Sequence, residues 1–105
     1  MNELFFYGAV NRTLREVFPV VAPYQGYISC FGTPWGFILA GKGDDPRQQS
    51  AADVDRLIAE RLGADELGYW DGAAHLHSFN LPKFIRRALD ACTRVITDAH
   101  PLIVA

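Results

Sequence analysis

Three histidines, two cysteines, a short glycine loop and a group of aromatics are the residues whose types and spacing could do chemistry. His75-x-His77 would set two imidazoles on one face of a strand. Zinc takes at least three protein ligands, so His100, a cysteine or a carboxylate would have to be brought in by folding. Neither CxxC nor HExxH accompanies the pair. The spacing therefore reads as a surface histidine pair beside a loop, and no metal site is expected. A nucleophilic Cys30 or Cys92 would need a histidine or another positive group beside it. Cys92 falls on the apolar face of a predicted helix and Cys30 ends a predicted strand, so both read as structural thiols. Gly41-Lys42-Gly43 is followed by Asp44 and Asp45, which would repel a phosphate, and there is no GxGxxG or Walker A pattern. No catalytic residue and no cofactor site is expected from these signals.

The aromatics carry more. Tyr24, Tyr27, Phe31, Trp35 and Phe37 are concentrated on one predicted hairpin. Core packing accounts for Phe37. Trp35 suits core packing and an exposed wall equally, the latter able to lie along an alkyl chain or face a cation. Tyr69-Trp70-Asp71, ahead of the histidines, fits either a second ligand wall or a cover for the sheet edge.

The elements that must position these residues follow from periodicity. Phe6, Val10, Leu14 and Val17 share one face of a helix over residues 3–17, and Pro19 stops it. Residues 20–30 alternate as a strand, with Val20, Ala22, Tyr24, Gly26, Ile28 and Cys30 on one face. Pro23 cannot donate a ladder bond, which sets the regular start at Tyr24. Phe31-Gly32-Thr33-Pro34 supplies a turn, and Trp35 to Ala40 follows as a strand with no polar face, to be covered on both sides. After a polar loop, Ser50-Ala51-Ala52-Asp53 resembles a capping box. Val54, Leu57, Ile58 and Leu62 form the helix stripe, and Gly63 ends it. Residues 67–79 read as irregular. Pro82 opens a helix to about Cys92 with Phe84, Ile85, Ala88 and Leu89 inward. Arg94 to Thr97 is a candidate short last strand, and the tail from Pro101 to Ala105 is apolar.

The 105 residues allow one domain, 1–105, and half of them are hydrophobic, as in globular chains. A net charge of -2 argues against a nucleic-acid partner. No apolar run is long enough to cross a bilayer. Met1-Asn2-Glu3-Leu4 lacks the positive start of a secretory signal, and two cysteines make no disulfide framework, so a cytoplasmic location is expected.

Several stretches resemble one family. Leu14-Arg15-Glu16-Val17-Phe18-Pro19-Val20-Val21-Ala22-Pro23-Tyr24 is similar to the LREVFP-x-V-x-PY stretch of the polyamine aminopropyltransferases, the spermidine synthase family. Trp35-Gly36-Phe37-Ile38-Leu39-Ala40 is similar to its WGF-x-LA strand. Tyr69-Trp70-Asp71, His75 and Ser78-Phe79-Asn80-Leu81-Pro82-Lys83-Phe84-Ile85-Arg86 follow its aromatic-pair, histidine and F-x-LP segment. Ile96-Thr97-Asp98-Ala99-His100-Pro101 is similar to a TDD-x-P signature, with Ala99 in place of an acid.

The resemblance implies the C-terminal third of such a transferase, and hence an α/β fold. It would be part of a methyltransferase-like, Rossmann-type sheet: a helix, an antiparallel β-hairpin, two further helices and a short last strand. It implies that Trp35, Phe31 and Tyr27 line the polyamine side of the active site. Cys30-Phe31-Gly32-Thr33-Pro34 stands where many members have a tyrosine before PSG-x-W, so a tyrosine hydroxyl contact is missing there. The family's Gly-rich donor loop and its catalytic aspartate have no counterpart in the sequence. The chain is therefore expected to be inactive alone and to pair with a second copy or with a chain completing the sheet. The other readings are a self-associating module without ligand chemistry, and a small metal- or ligand-binding protein.

Overall fold

A computed structural model describes the backbone of residues 2–102 and the side chains of residues 4–102. Residues 103–105 of the apolar tail lie outside the described residues. The elements run α1 (Asn2–Val17), β1 (Val20–Ile28), β2 (Thr33–Gly41), a 3-10 turn (Pro46–Gln48), α2 (Ala51–Arg61), α3 (Gly72–Phe79) and α4 (Lys83–Ala91). The result is a mixed α/β arrangement of four helices and a two-stranded antiparallel sheet. The described residues contain no parallel strand pair.

The hairpin is the centre of the molecule. Its register sets Tyr24 opposite Phe37 and Gly26 opposite Trp35. The loop closes through Phe31 and Gly32 N–H groups donating to the Ile28 carbonyl, both at 3.0 Å. Gly32 sits at φ +66, a conformation that costs a side chain roughly 1–2 kcal/mol. Strand alternation gives the hairpin two different neighbours. On one face the Tyr7 ring of α1 lies over Gly36. On the other, Tyr24 stacks on Phe37 and meets Phe79 of α3. Outside these layers α4 packs on α1 and α2 packs on α3.

The helix signals act as expected at α2. The Ser50 hydroxyl accepts the Asp53 N–H at 3.1 Å, and Gly63 closes the helix with its N–H on the Ile58 carbonyl. Other expectations are corrected. Strand β1 begins at Val20 rather than Tyr24, with Pro23 opposite Ile38. Both strands of a two-stranded sheet have an open edge, where a missing N–H is tolerated. Residues 72–79 are helical rather than irregular, because Asp71 caps them by accepting the Ala74 N–H at 2.8 Å. The last strand, Arg94 to Thr97, is absent. There the Ile96 N–H finds the Thr13 hydroxyl of α1 at 2.8 Å instead of a neighbouring strand.

The burial pattern is corrected too. In α1 the buried flank is Gly8, Ala9 and Asn11, whose small size admits α4, while Phe6 and Val17 of the expected stripe are exposed. In α4, Leu89 is buried but Phe84 is 61% exposed, since a single neighbour cannot cover so wide an apolar stripe. Strand β2 is not covered on both sides: Trp35, Phe37 and Leu39 are all exposed. The radius of gyration, 15.6 Å, exceeds the roughly 13 Å of a packed domain of this length. Among the described residues no helix is long and apolar enough to cross a membrane.

Candidate functional site

Trp35 projects from β2 near its start, and the hairpin loop carries Phe31 back over it. The two rings stack with centroids 4.4 Å apart and planes 20° from parallel. Both stay accessible, Trp35 at 44% and Phe31 at 58%. Tyr27 does not join them. It pairs with Pro34, so alternation puts it on the opposite face of the hairpin from Trp35. The structure thus brings two of the three expected wall residues together and separates the third.

The stacked pair is one end of an aromatic band. Two residues along β2, Phe37 stacks on Tyr24 at 5.3 Å, and Tyr24 meets Phe79 at 5.1 Å. Trp70 then approaches Tyr24 edge-on at 6.5 Å and His75 at 5.8 Å, and His75 reaches Phe79 at 4.9 Å. Aromatic pairs at these separations add about 0.5–1.5 kcal/mol each beyond area burial. The buried end of the band holds α3 on the hairpin, while the Phe31–Trp35 end is open. Trp70 therefore covers the sheet, and Tyr69 beside it is exposed.

The histidines are corrected by the helix that carries them. Residues two apart on a helix diverge, so His75 and His77 do not share a face. His75 is only 6% exposed, with Nε2 2.7 Å from the Pro46 carbonyl oxygen. A carbonyl only accepts, which fixes the proton on Nε2. His75 is thus a core clamp between α3 and the 3-10 turn rather than half of a surface pair. Only its place four residues before Phe79 and four after the capping Asp71 could have signalled this. Cys30 is exposed at the hairpin loop, past the end of β1, whereas Cys92 is half-buried beside Gly8.

Two residues escaped the sequence patterns. The Tyr7 hydroxyl lies 2.7 Å from the Phe37 carbonyl and 3.0 Å from that of Tyr24, tying α1 across both strands behind the aromatic band. Burial pushes its pKa up to about 12. Asn11 is buried in α1 with its Oδ1 unpartnered. No periodicity marks either position, since each is a single polar atom in a helix.

Chemically, the open end of the band offers π faces. It can hold an extended aliphatic chain against the rings and a cation over them. No family model matches the chain. It is 37% identical over 98 residues to polyamine aminopropyltransferase 2 of Hyperthermus butylicus, covering 93% of this chain and 32% of that protein. It is 35% identical over 101 residues to the polyamine aminopropyltransferase of Synechococcus sp. strain JA-3-3Ab, covering 94% and 32%. The corresponding protein of Nitrosomonas europaea is 33% identical over 90 residues, covering 86% and 27%. The chain spans about a third of the length of these curated relatives.

Proposed function

The chain belongs to the polyamine aminopropyltransferase family, and from that premise we propose that it is the family's C-terminal third and supplies the polyamine-side wall of an active site. The observation that carries this is the stacked, solvent-facing Phe31–Trp35 pair at the open end of the hairpin. The family resemblance implies an acceptor polyamine at this hairpin, and the pair has the chemistry for it. Methylenes lie along the rings, and an ammonium gains about 0.5–1 kcal/mol over an exposed ring face. Aminopropyl transfer also needs a held donor and a base that frees the attacking amine. The donor loop and the catalytic aspartate of the family are not among these residues, so the chain does not turn over alone. Its place in a doubly wound, Rossmann-type sheet and a cytoplasmic location belong to the same proposal.

Tryptophan fluorescence of a Trp70→Phe variant, titrated with putrescine and spermidine, tests the wall. Quenching that saturates, and that calcium at matched ionic strength does not reproduce, is the expected result. No saturable response to either polyamine would refute it. Product from the chain alone with putrescine and decarboxylated S-adenosylmethionine would refute the inactivity.

A second reading is favoured by β2, which exposes Trp35, Phe37 and Leu39 on one face and leaves its outer edge unpaired. Such a strand is a template for another. A second copy or a partner chain that completes the sheet would cover it, and this is compatible with the polyamine wall.

A further inference from the structure

Glycines interrupt the interiors of both hairpin strands, Gly26 in β1 and Gly36 in β2. A glycine inside a strand weakens it, and marks a bulge, a tight bend, or a surface where another group or a ligand comes close. Gly36 has its reason within the chain, because a Cβ there would lie 3.0 Å from two atoms of the Tyr7 ring. Gly26 has none. The register runs one to one from Val20 opposite Gly41 to Ile28 opposite Thr33, so β1 has no bulge. The φ of Gly26 is not positive. Among the described residues a Cβ built on it would meet one atom only, Phe37 Cε2 at 3.7 Å, an ordinary contact.

The missing side chain leaves its space on the aromatic face of the hairpin. Gly26 stands opposite Trp35, with Tyr24 and Ile28 as its neighbours along β1 on that face and Phe37 diagonally across. The result is a notch one side chain wide, floored by partly exposed backbone. The Trp35 indole borders it on one side and the Tyr24–Phe37 stack closes one end. Phe31 stacks on Trp35 without filling the notch, since none of its atoms comes within 4 Å of the Gly26 Cβ position. A slot of this width admits an unbranched methylene chain and obstructs a ring or a branch. An ammonium at the end of such a chain reaches the indole face.

We infer that Gly26 is the specificity-determining residue of the hairpin wall: the methylene chain of a linear diamine or polyamine lies in the notch against the Gly26 backbone, with an ammonium at the Trp35 ring. This rests on the reading of the hairpin as a polyamine wall and adds the residue that selects which amines fit. In a Trp70→Phe background Trp35 is the remaining tryptophan, and its fluorescence can be titrated with putrescine and with 1,4-diaminocyclohexane, a diamine of equal charge and greater width. Putrescine should bind at least tenfold more tightly than the cyclic diamine. Gly26→Val should weaken putrescine at least tenfold, and Gly26→Ala at least threefold. Neither variant should unfold at a lower temperature than its parent, because the position has room and valine favours strands. Gly41→Val places the same side chain at the far end of the same face, also in open space, and should bind as the parent does. Putrescine binding of equal strength in the parent, Gly26→Ala and Gly26→Val would overturn the role of Gly26 and leave the wall standing. Equal affinity for the linear and cyclic diamines, or equal loss in Gly41→Val, would also overturn it. No saturable response in the parent would overturn the wall and the notch together.

Discussion

Gly72 is where the aromatic band depends on a single missing atom. A Cβ built there would overlap the Ala51 carbonyl oxygen and lie 2.6 Å from the carbonyl carbon and 2.7 Å from the Cα of the same residue. All three atoms belong to the first residue of α2, so no rotamer change relieves the contact. The Gly72 N–H also donates to Asp55 Oδ1 at 2.7 Å, and any retreat of α3 stretches that bond. Overpacking against a well-packed neighbour typically costs 1–3 kcal/mol, and a backbone obstacle puts Gly72→Ala near the upper end, about 3 kcal/mol. For a domain of this size that lowers Tm by roughly 12–24 °C. Urea unfolding followed by far-ultraviolet circular dichroism gives the difference. Gly68→Ala serves as the control, because nothing lies within 4 Å of a Cβ at that position. It should stay within about 1 kcal/mol of the parent. Ala51→Gly should not rescue Gly72→Ala, since it leaves the obstructing carbonyl in place. Equal stabilities of the Gly72→Ala and Gly68→Ala variants would refute the close α2–α3 docking.

Two further outcomes check the supports of the same band. Asp71→Ala removes the cap of α3 and should cost about 1 kcal/mol, whereas Asp71→Asn should cost far less because Asn caps equally well; unfolding curves of the two variants decide it. Tyr7 holds its proton more tightly when folded, because its folded pKa of about 12 exceeds the ordinary value of 10.0. Its stabilising contribution is therefore complete below about pH 10 and is lost as pH rises through about 12. An ultraviolet titration should show one late tyrosine that disappears in Tyr7→Phe, and a curve unchanged by that substitution would contradict the buried hydroxyl.

Much of the scaffold was legible because it rests on local chemistry. Pro19, the Ser50 cap, Gly63 and the Gly32 turn each act within a few residues, and the hairpin alternation follows directly from the sequence. What was not legible depends on neighbours. Helix α3 was hidden because Asp71 is also at home in a loop, and its apolar residues pack on a strand more than forty positions earlier rather than forming a plain stripe. The expected Arg94–Thr97 strand needed a partner strand that these residues do not provide. Trp35 and Phe31 were legible as an aromatic wall, but the exclusion of Tyr27 required the register, since only the pairing with Pro34 reveals its face. The family motifs located the hairpin segment without saying which of its aromatics share a side.

The exposed surface joins the two functional readings. The accessible surface is 7402 Å², against about 5,900 Å² expected for a folded monomer of 11.7 kDa. The excess, roughly 1,500 Å², is larger than the ~800 Å² that each partner buries in an ordinary stable interface. Part of it is the apolar run of β2, which carries no charged residue to discourage pairing along its open edge. A strand of that composition suits the interior of a larger sheet. A neighbour along the edge of β2 would leave the faces of the sheet free, so the stacked Phe31–Trp35 pair at the hairpin end could still meet a ligand. Completion of the sheet and exposure of the wall are therefore not competing uses of one surface: the first uses the backbone edge of β2, and the second uses the side chains at its turn.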